Sequence, residues 1–409
     1  MRVAAFVLVL LGCAAPAHAQ ERLLSDAARV SLLTALPGDA VHALYGHSAL
    51  RVYDPERDID LSFNYGTFDF DAWFVPRFVY GELDYFLSHY PFALGVESYR
   101  REGRPVIEQV LNLSAAQREA VFRFLALNAR PENRYYRYDF LFDNCSTRIR
   151  DLFETTLGGA LRFPALPDTG RTFRALIDPY QGVFLDTGID LLLGAPVDRT
   201  ALPREMMFLP DHLMAAFDAA VVDTGAADTG AAAVPLVART DTVLWIDGYR
   251  RPAAGLPWVS VLLWAAFALG AAVTYRDYRA GRVVRRVVDV PLFAVTGVLG
   301  VLIVFLWFVS LHEVTARNWN LLWAWPTHLA AAWLLLRGRT PGAWLRRYTG
   351  AAAVAALAFA LGWFAWPQHL PPALLPLLLL LALRGARLAA GERHIVRPPS
   401  GRPVTAAEG

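Results

Sequence analysis

The sequence predicts an α+β exported domain followed by an all-α, five-helix transmembrane domain. The 409 residues are 55% hydrophobic and only 19% charged, and their mean hydropathy of +0.32 exceeds that of most water-soluble proteins. Every apolar stretch near the ~20 residues needed to cross a bilayer follows Pro257. Residues 20–251 instead mix short alternating runs with amphipathic runs, which indicates a domain with both strands and helices.

The N-terminus has the pattern of a signal peptide. Arg2 precedes an apolar run at residues 3–11, and Ala17-His18-Ala19 is a small-x-small cleavage site. The stretch that ends at Cys13 loosely resembles a lipobox, so lipidation of Cys13 competes with cleavage after Ala19, which fits the sequence better. Both routes export the segment that follows. We therefore expect a signal peptide at residues 1–19 and an exported domain at residues 20–221.

Hydrophobic alternation predicts the strands of the exported domain. Residues 48–53 and 61–65 are predicted to be neighbouring strands separated by a turn at Asp54-Pro55, and residues 106–113 to be a further strand. The stretch after residue 221 is rich in Ala, Gly and Asp. We expect residues 222–255 to form a linker and connecting segment.

Two helices of this domain are predicted from their end signals. Ser114 and Gln117 form a capping box, which begins a helix that extends to about Asn128. Apolar residues at helical spacing predict a second helix at residues 145–157, and Gly158-Gly159 ends it. The exported domain is therefore α+β.

Residues 256–386 contain five apolar segments, and residues 387–409 form a tail. The segments lie at residues 257–275, 290–311, 319–336, 349–366 and 369–383. Arginines cluster after the first segment, after the third segment and in the tail, whereas the other two loops are nearly free of Arg. By the positive-inside rule, this alternation places the exported domain outside the cytoplasm and the C-terminus inside.

Polar residues accompany the third segment. Asn318 and Asn320 lie at its start, and Thr327 and His328 lie within it beside Pro326. Polar groups at membrane depth are costly, so they need a partner or a function. Two explanations stay open: a cavity or lipid-head site, and hydrogen bonds between helices.

Composition and motifs exclude several classes of protein. The net charge is +2, so no basic surplus indicates a nucleic-acid partner. Two cysteines are too few for a disulfide-stapled scaffold or a four-thiolate zinc site. The sequence has no metal-ligand spacing and no Gly-rich phosphate loop, so we expect no cofactor and no metal.

Cys145 is the first candidate for catalysis, and it is the only cysteine of the mature chain if cleavage follows Ala19. Asn144 is a good N-cap, which places Cys145 at the first helical position, where free amides and the helix dipole stabilise a thiolate. Arg148, one turn later, either adds to this stabilisation or pairs with Asp143. A packed, unreactive thiol is the alternative that the local sequence leaves open.

A thiolate nucleophile that works near neutral pH needs a histidine as its base. The exported domain contains His42, His47, His89 and His212. His47 begins a predicted strand after a glycine turn, so its imidazole is expected at the rim of the sheet, where a helix N-terminus can reach it. We expect the other three histidines to be surface or core residues.

Three motifs together carry a family resemblance. They are GHSALRVYD at residues 46–54, FNYGTFDF at residues 63–70 and YDFLFDNCSTRIRD at residues 138–151, and Asn318-Trp319-Asn320 at a membrane segment adds to them. A His-bearing strand followed about a hundred residues later by a Cys at a helix N-terminus resembles the circularly permuted papain-like group, which includes NlpC-type hydrolases and lecithin:retinol acyltransferase. Within this group, the sequence resembles the Lnb-like family more closely, over nearly the whole chain.

The resemblance implies a permuted papain-like (NlpC-like) periplasmic domain on a bacterial inner membrane protein. It implies an acyltransferase of lipoprotein maturation, with a phospholipid as acyl donor and the N-terminal amine of a lipoprotein as acceptor. Carried over by motif, His47 is the base and Cys145 the nucleophile. A third group should orient the imidazole. Asn64 is our choice for it, with Tyr65 and Asp54 as alternatives, and hydrogen bonding at the strand end is an equally good explanation of all three.

Two other functions fit the same residues. The first is a membrane-anchored papain-like cysteine peptidase or amidase of the cell envelope, in which the membrane helices serve only as an anchor. The second is an inert assembly factor in which Cys145 is merely packed. Fold alone does not decide between them.

Overall fold

The computed structural model describes residues 22–69, 71–164, 169–181, 183–225, 233–251, 258–338 and 341–391, without the side chains of residues 183–186. The predicted signal peptide with Cys13, and the tail beyond residue 391, lie outside the described residues.

The N-terminal domain contains two antiparallel sheets. Its strands are β1 (Arg29–Ala35), β2 (His47–Asp54), β3 (Ile59–Phe68), β4 (Asp84–Pro91), β5 (Val106–Leu111), β6 (Tyr135–Arg137), β7 (Leu161–Arg162), β8 (Val221–Val222), β9 (Val234–Pro235) and β10 (Val237–Leu244). Seven of them form one sheet in the order β10-β5-β1-β2-β3-β4-β6, and β7-β8-β9 form a small second sheet. The predicted strand pair is confirmed, because β2 and β3 are antiparallel neighbours with Leu50 opposite Phe63.

Helices cover both faces of the large sheet and then form the C-terminal region. They are α1 (Phe74–Tyr80), α2 (Phe92–Arg101), α3 (Ala115–Asn128), α4 (Cys145–Leu157), α5 (Phe173–Ile177), α6 (Val183–Leu192), α7 (Pro210–Ala219), α8 (Trp258–Arg279), α9 (Arg286–Phe308), α10 (His328–Arg337), α11 (Ala343–Leu361) and α12 (Leu375–Ala390). Both predicted helices are confirmed: α3 has its Ser114–Gln117 capping box, and α4 is capped by Asn144 and ends at Gly158.

The main core lies between the large sheet and α4. Leu50 and Phe63 face it from β2 and β3, and Ile149 and Phe153 face it from α4. Alternation along each strand sends every second side chain to this face, so the intervening residues point to the other face of the sheet. This division determines which residues of β2 and β3 are free to form a site.

The predicted linker at residues 222–255 is wrong in part. β9 pairs with β8, and β10 forms the edge of the large sheet by pairing with β5. β10 directly follows the low-complexity stretch, and four of its eight residues, VARTDTVL, are exposed, so its sequence carries no clear strand signal. The N-terminal domain therefore extends to Leu244.

The C-terminal region is helical, and three of its described helices are long and apolar enough to cross a membrane. They are α8, α9 and the helix at residues 372–390, whereas α10 is a shorter apolar helix. The predicted third segment is wrong as a continuous helix: residues 319–322 form a short 3₁₀ turn, and α10 begins at His328, after Pro326. Proline lacks the amide that a continuous helix needs at this position.

The last apolar segment extends further than its predicted end. α12 continues through Arg384, because this guanidinium is buried and bonded to the equally buried Asp289 at 2.7 Å. Asp277 also contacts Arg384, at 3.7 Å, and pairs with Arg285. A charge paired and buried between helices does not end a span, although it ends the hydrophobic run in the sequence.

The predicted polar residues of the third segment bind protein groups. His328 Nδ1 lies 3.2 Å from the Thr296 hydroxyl of α9, and Thr327 Oγ1 lies 2.9 Å from the Tyr348 hydroxyl of α11. These hydrogen bonds between helices agree with the second of the two explanations that the sequence left open. The buried Nε2 of His328 has no hydrogen-bond partner among the described residues, so the first explanation also stays open.

Side-chain amides of the C-terminal region bind backbone carbonyls of the N-terminal domain. Asn318 Nδ2 donates to the carbonyl of Leu191 at 2.9 Å, and Gln368 Nε2 donates to that of Leu193 at 2.9 Å. Both carbonyls belong to the end of α6, where helical carbonyls lack partners. The loops after α9 and α11 therefore lie against the N-terminal domain. Which side of the membrane this end faces stays a prediction.

Candidate active site

Cys145 is the first residue of α4, and its position is fixed by the cap before it. The Asn144 side-chain oxygen accepts hydrogen bonds from the amides of Ser146 (2.9 Å) and Thr147 (3.0 Å), while its Nδ2 donates to the carbonyls of Phe140 and Phe208. Asn144 is thus buried with its amide group fully used. Because the cap is rigid, the Cys145 sulfur is held at the N-terminal end of the helix, where the dipole favours negative charge.

His47 and Asn64 meet across the β2–β3 pair. Extending the Leu50–Phe63 register by three residues places Gly66 opposite His47, so His47 and Asn64 are diagonal neighbours on one face of the sheet. The distance between His47 Nε2 and Asn64 Oδ1 is 2.7 Å. Asn64 Oδ1 also accepts a hydrogen bond from the Gly66 amide at 2.7 Å. An amide oxygen accepts only, so Nε2 carries a hydrogen, and Nδ1 is left to take a proton from a thiol.

Gly66 is required for this arrangement. A Cβ at this position would lie 2.4 Å from His47 Cε1, which is closer than real contacts allow. Only glycine leaves room for the imidazole beside β3. Gly66 was not among the site residues predicted from the sequence. A glycine within a strand often marks a close approach, and this is the signal that could have revealed it.

The Cys145 thiol and the His47 imidazole form a coupled pair. Burial raises the pKa of Cys145, but the charge of His47, its hydrogen bond and the Ser48 amide outweigh burial and lower this pKa to about 7. Burial lowers the pKa of His47, and the negative sulfur, together with Asn64, reverses this and raises it. The two opposite directions are those of a thiolate–imidazolium pair.

Two residues that the sequence analysis missed also act on the pair. Ser48 donates its amide to the sulfur, and its hydroxyl lies 3.0 Å from that of Ser146, which attaches the start of β2 to α4. Arg104 is buried near His47, and its charge lowers the pKa of the imidazole. The Arg104 guanidinium donates hydrogen bonds to the Leu36 carbonyl at 2.9 Å and to the Glu102 carboxylate at 2.9 Å.

The other candidate residues lie elsewhere. Asp54 is at the far end of β2, where its carboxylate accepts the amide and hydroxyl of Ser25, so it is not the third group. Tyr65 alternates with Asn64 and faces the core. Arg148 pairs with Asp143 at 2.6 Å and stacks on a tyrosine ring, which is the simpler of the two predicted roles.

The remaining histidines differ in their surroundings. His42 lines the same cavity as Cys145 but is exposed, and His89 is exposed on β4, where it stacks on Phe63. His212 lies in the first turn of α7, away from this cavity, and burial lowers its pKa. Of the four histidines, His47 is the one in contact with Cys145.

The pair opens into a cavity of about 900 Å³. Its lining includes ten aromatic residues: Tyr45, Phe68, Phe74, Phe78, Tyr85, Tyr90, Tyr99, Tyr138, Phe140 and Phe208. The wall is completed by residues 311–314, which follow α9 in the C-terminal region. A cavity of this size can hold a ligand with a long apolar part beside the rings, and its lining also includes five charged side chains, those of Glu102, Arg104, Arg137, Asp139 and Glu313.

This arrangement can perform nucleophilic acyl chemistry. The thiolate can attack a carbonyl, the imidazole can move the proton, and the amide of Cys145, which has no acceptor within the helix, can stabilise an oxyanion. Among the residues that the structure describes, no group of three or more His, Cys, Asp or Glu side chains could hold a metal ion.

Two family models match the chain. Residues 15–177 match the Lnb N-terminal periplasmic domain, and residues 256–391 match the Lnb transmembrane domain. The first match contains His47, Asn64 and Cys145, and the second contains the loop that completes the cavity wall. None of the curated proteins and none of the solved structures that were compared with the chain matches it.

Proposed function

Because the chain belongs to the Lnb-like family, which combines a periplasmic domain with a transmembrane domain, we propose that it is a membrane-bound enzyme. In this proposal it transfers a fatty acyl chain from a phospholipid to the N-terminal amine of bacterial lipoproteins. The observation that supports this proposal is the position of the Cys145–His47–Asn64 group, in an aromatic cavity whose wall includes the loop after a membrane helix. We propose Cys145 as nucleophile, His47 as base and Asn64 as the residue that orients the imidazole. The papain-like permutation of the fold is part of the same proposal.

In the first half-reaction, the Cys145 thiolate attacks the ester carbonyl of the donor. A bond forms between sulfur and the carbonyl carbon, and the negative oxygen of the tetrahedral intermediate accepts a hydrogen bond from the Cys145 amide. The acyl C–O bond then breaks, the alkoxide of the lysophospholipid takes the proton from His47, and a thioester remains on the enzyme. Asn64 keeps Nε2 protonated, so that Nδ1 is the nitrogen that exchanges this proton.

In the second half-reaction, the acceptor amine attacks the thioester. His47, now neutral, accepts a proton from the amine as the C–N bond forms. The C–S bond breaks and the thiolate is regenerated beside the imidazolium, which its lowered pKa of about 7 favours. An amide is more stable than a thioester, so the transfer needs no further energy source and no cofactor.

The test is mass spectrometry of the purified full-length protein incubated with a defined phospholipid. We expect a fatty-acyl mass on the Cys145 peptide that hydroxylamine releases, that is absent from Cys145→Ser and that is strongly reduced in His47→Ala. Addition of a diacylated lipopeptide should discharge it into an N-acylated product. A thiol that alkylates rapidly but never acquires the acyl mass would contradict the proposal and favour the peptidase or amidase function.

A further inference from the structure

A short helix beside the catalytic cavity exposes an unusual run of apolar side chains. None of the residues of α1 is buried, and Trp73 (69% exposed), Val75 (59%) and Val79 (42%) face outward, with Phe78 and Tyr80 beside them. Several large apolar side chains exposed on one short segment often mark a surface that contacts a partner or a membrane.

The structure indicates what covers this helix, because α1 is attached to the end of a membrane helix. The Leu311 amide donates to the Tyr80 carbonyl at 2.7 Å, and His312 Nε2 lies 2.8 Å from the Phe78 carbonyl. Gly81 permits this approach, since a Cβ there would lie 3.0 Å from the His312 nitrogen. Leu311 follows the end of α9 by three residues.

The level of this attachment is that of the bilayer surface. α9 has 23 residues, which gives a length of about 34 Å at 1.5 Å per residue and exceeds the ~30 Å of hydrocarbon. Phe308, Val309 and Leu311 are exposed and apolar at its end. A helix bonded to this end lies in the interfacial layer, and Trp73 and Tyr80 are the residue types that this layer favours.

The other side of α1 is a wall of the cavity. Phe74 and Phe78 line it, and Phe74 stacks on Phe68 with ring centroids 4.7 Å apart. Phe68 contacts Tyr85, which stacks on Tyr138 with a centroid distance of 4.4 Å. A continuous row of rings therefore connects α1 with the part of the cavity next to Cys145.

We propose that α1 is an interfacial helix embedded in the leaflet on the side of the N-terminal domain, and that it forms the lateral opening through which a phospholipid acyl chain passes from the bilayer to Cys145. The passage of the donor rests on the proposed function, whereas the depth of α1 does not. The helix contributes apolar surface on both sides, so an acyl chain that moves past it never crosses water.

The depth of α1 is tested by spin labelling. Val75→Cys and Val79→Cys are labelled with a nitroxide in the Cys145→Ser full-length protein, reconstituted in phosphatidylethanolamine/phosphatidylglycerol nanodiscs. Leu127→Cys on α3, an apolar residue with similar exposure (49%), is the control. We expect labels at 75 and 79 to collide more with oxygen than with a water-soluble nickel chelate, and the label at 127 to show the reverse. Labels at 75 and 79 that behave like the control would overturn the proposal.

The passage of lipid is tested by acylation of Cys145 from two donors. Val75 and Val79 do not line the described cavity, so we compare the V75E/V79E variant with L127E. With phosphatidylglycerol vesicles we expect V75E/V79E to acylate about tenfold more slowly, because buried carboxylates at the interface oppose insertion. With monomeric dihexanoylphosphatidylcholine the rate should match that of the wild type.

The outcomes separate the two proposals. An equal loss with both donors would show that α1 only supports the cavity, and would overturn the passage. Wild-type protein that acylates with neither donor would overturn the proposed function, while the nitroxide measurement would still decide whether α1 lies in the bilayer.

Discussion

Removal of the His47 imidazole should abolish the thiolate character of Cys145 at neutral pH. In the folded protein His47 is the largest favourable influence on this thiol, ahead of the Ser48 amide and the Ser146 hydroxyl. In His47→Ala the sulfur stays buried, and fewer interactions oppose the rise in its pKa that burial causes. We therefore expect the pKa of Cys145 to rise from about 7 to 9 or above.

The size of the effect follows from this difference in pKa. A pKa lowered from 9 to about 7 corresponds to roughly 3 kcal/mol of thiolate stabilisation. At pH 7 the thiolate fraction is about one half in the wild type and about 1% in the variant. The thiolate of the variant is intrinsically about eightfold more nucleophilic, so its alkylation at pH 7 should be about sixfold slower rather than fiftyfold.

The assay is the rate of alkylation by iodoacetamide as a function of pH. In both proteins the rate rises with pH as the thiol loses its proton. The wild type should reach half its plateau near pH 7, the variant near pH 9 or above, and the two curves should cross at about pH 8 because the plateau of the variant is higher. His42→Ala is the matched control, since this exposed histidine lines the same cavity and is not among the influences on Cys145.

One result would refute the reasoning. If His47→Ala kept its midpoint near pH 7, the helix N-terminus and the Ser48 amide would be sufficient to stabilise the thiolate. His47 would then lose its place as the base, although Cys145 would remain a reactive thiol.

Three further substitutions test the positioning of the site and the fold. Gly66→Ala should displace the His47 ring and slow acylation of Cys145 at least tenfold without a large change in the melting temperature, because its Cβ would lie 2.4 Å from the ring. Asn64→Ala should slow acylation about tenfold, since a hydrogen bond to a charged group contributes about 1.5–3 kcal/mol. Arg174→Met should lower the free energy of unfolding by about 3–5 kcal/mol, because it removes a buried guanidinium and leaves its two partner carboxylates without that charge. Thermal unfolding in detergent measures this effect.

Two of these substitutions have a matched control. Gly159→Ala meets nothing within 4 Å and should leave acylation unchanged. Arg199→Met removes a partly exposed pair with Glu205 and should cost less than about 1 kcal/mol. Equal rates for Gly66→Ala and Gly159→Ala would contradict the steric argument, and a normal rate for Asn64→Ala would show that Asn64 only closes the strand end.

The sequence by itself determined the elements whose signals are local. The capping box of α3, the Asn144 cap of α4, the β2–β3 strand pair and the apolar run of α9 depend on neighbours a few residues apart, so periodicity and end residues were sufficient. The placement of Cys145 at the start of α4 follows from its cap in the same way.

Local patterns failed where a distant partner decides the structure. Half of the residues of β10 are polar, and its pairing with β5 makes it a strand. Arg384 ended a hydrophobic run in the sequence, yet the carboxylate of Asp289 lets α12 continue past it. Pro326 interrupted a segment whose composition alone suggested a continuous span.

Only the tertiary structure decided which residues share the site. Asn64 and Asp54 were both candidates, and the strand register brings the first to His47 while it leaves the second at the far end of β2. The steric need for Gly66 and the attachment of α1 to Leu311 join residues far apart in the chain or across strands. Such contacts depend on register and docking, which are set by the burial of whole faces rather than by the local pattern around one residue.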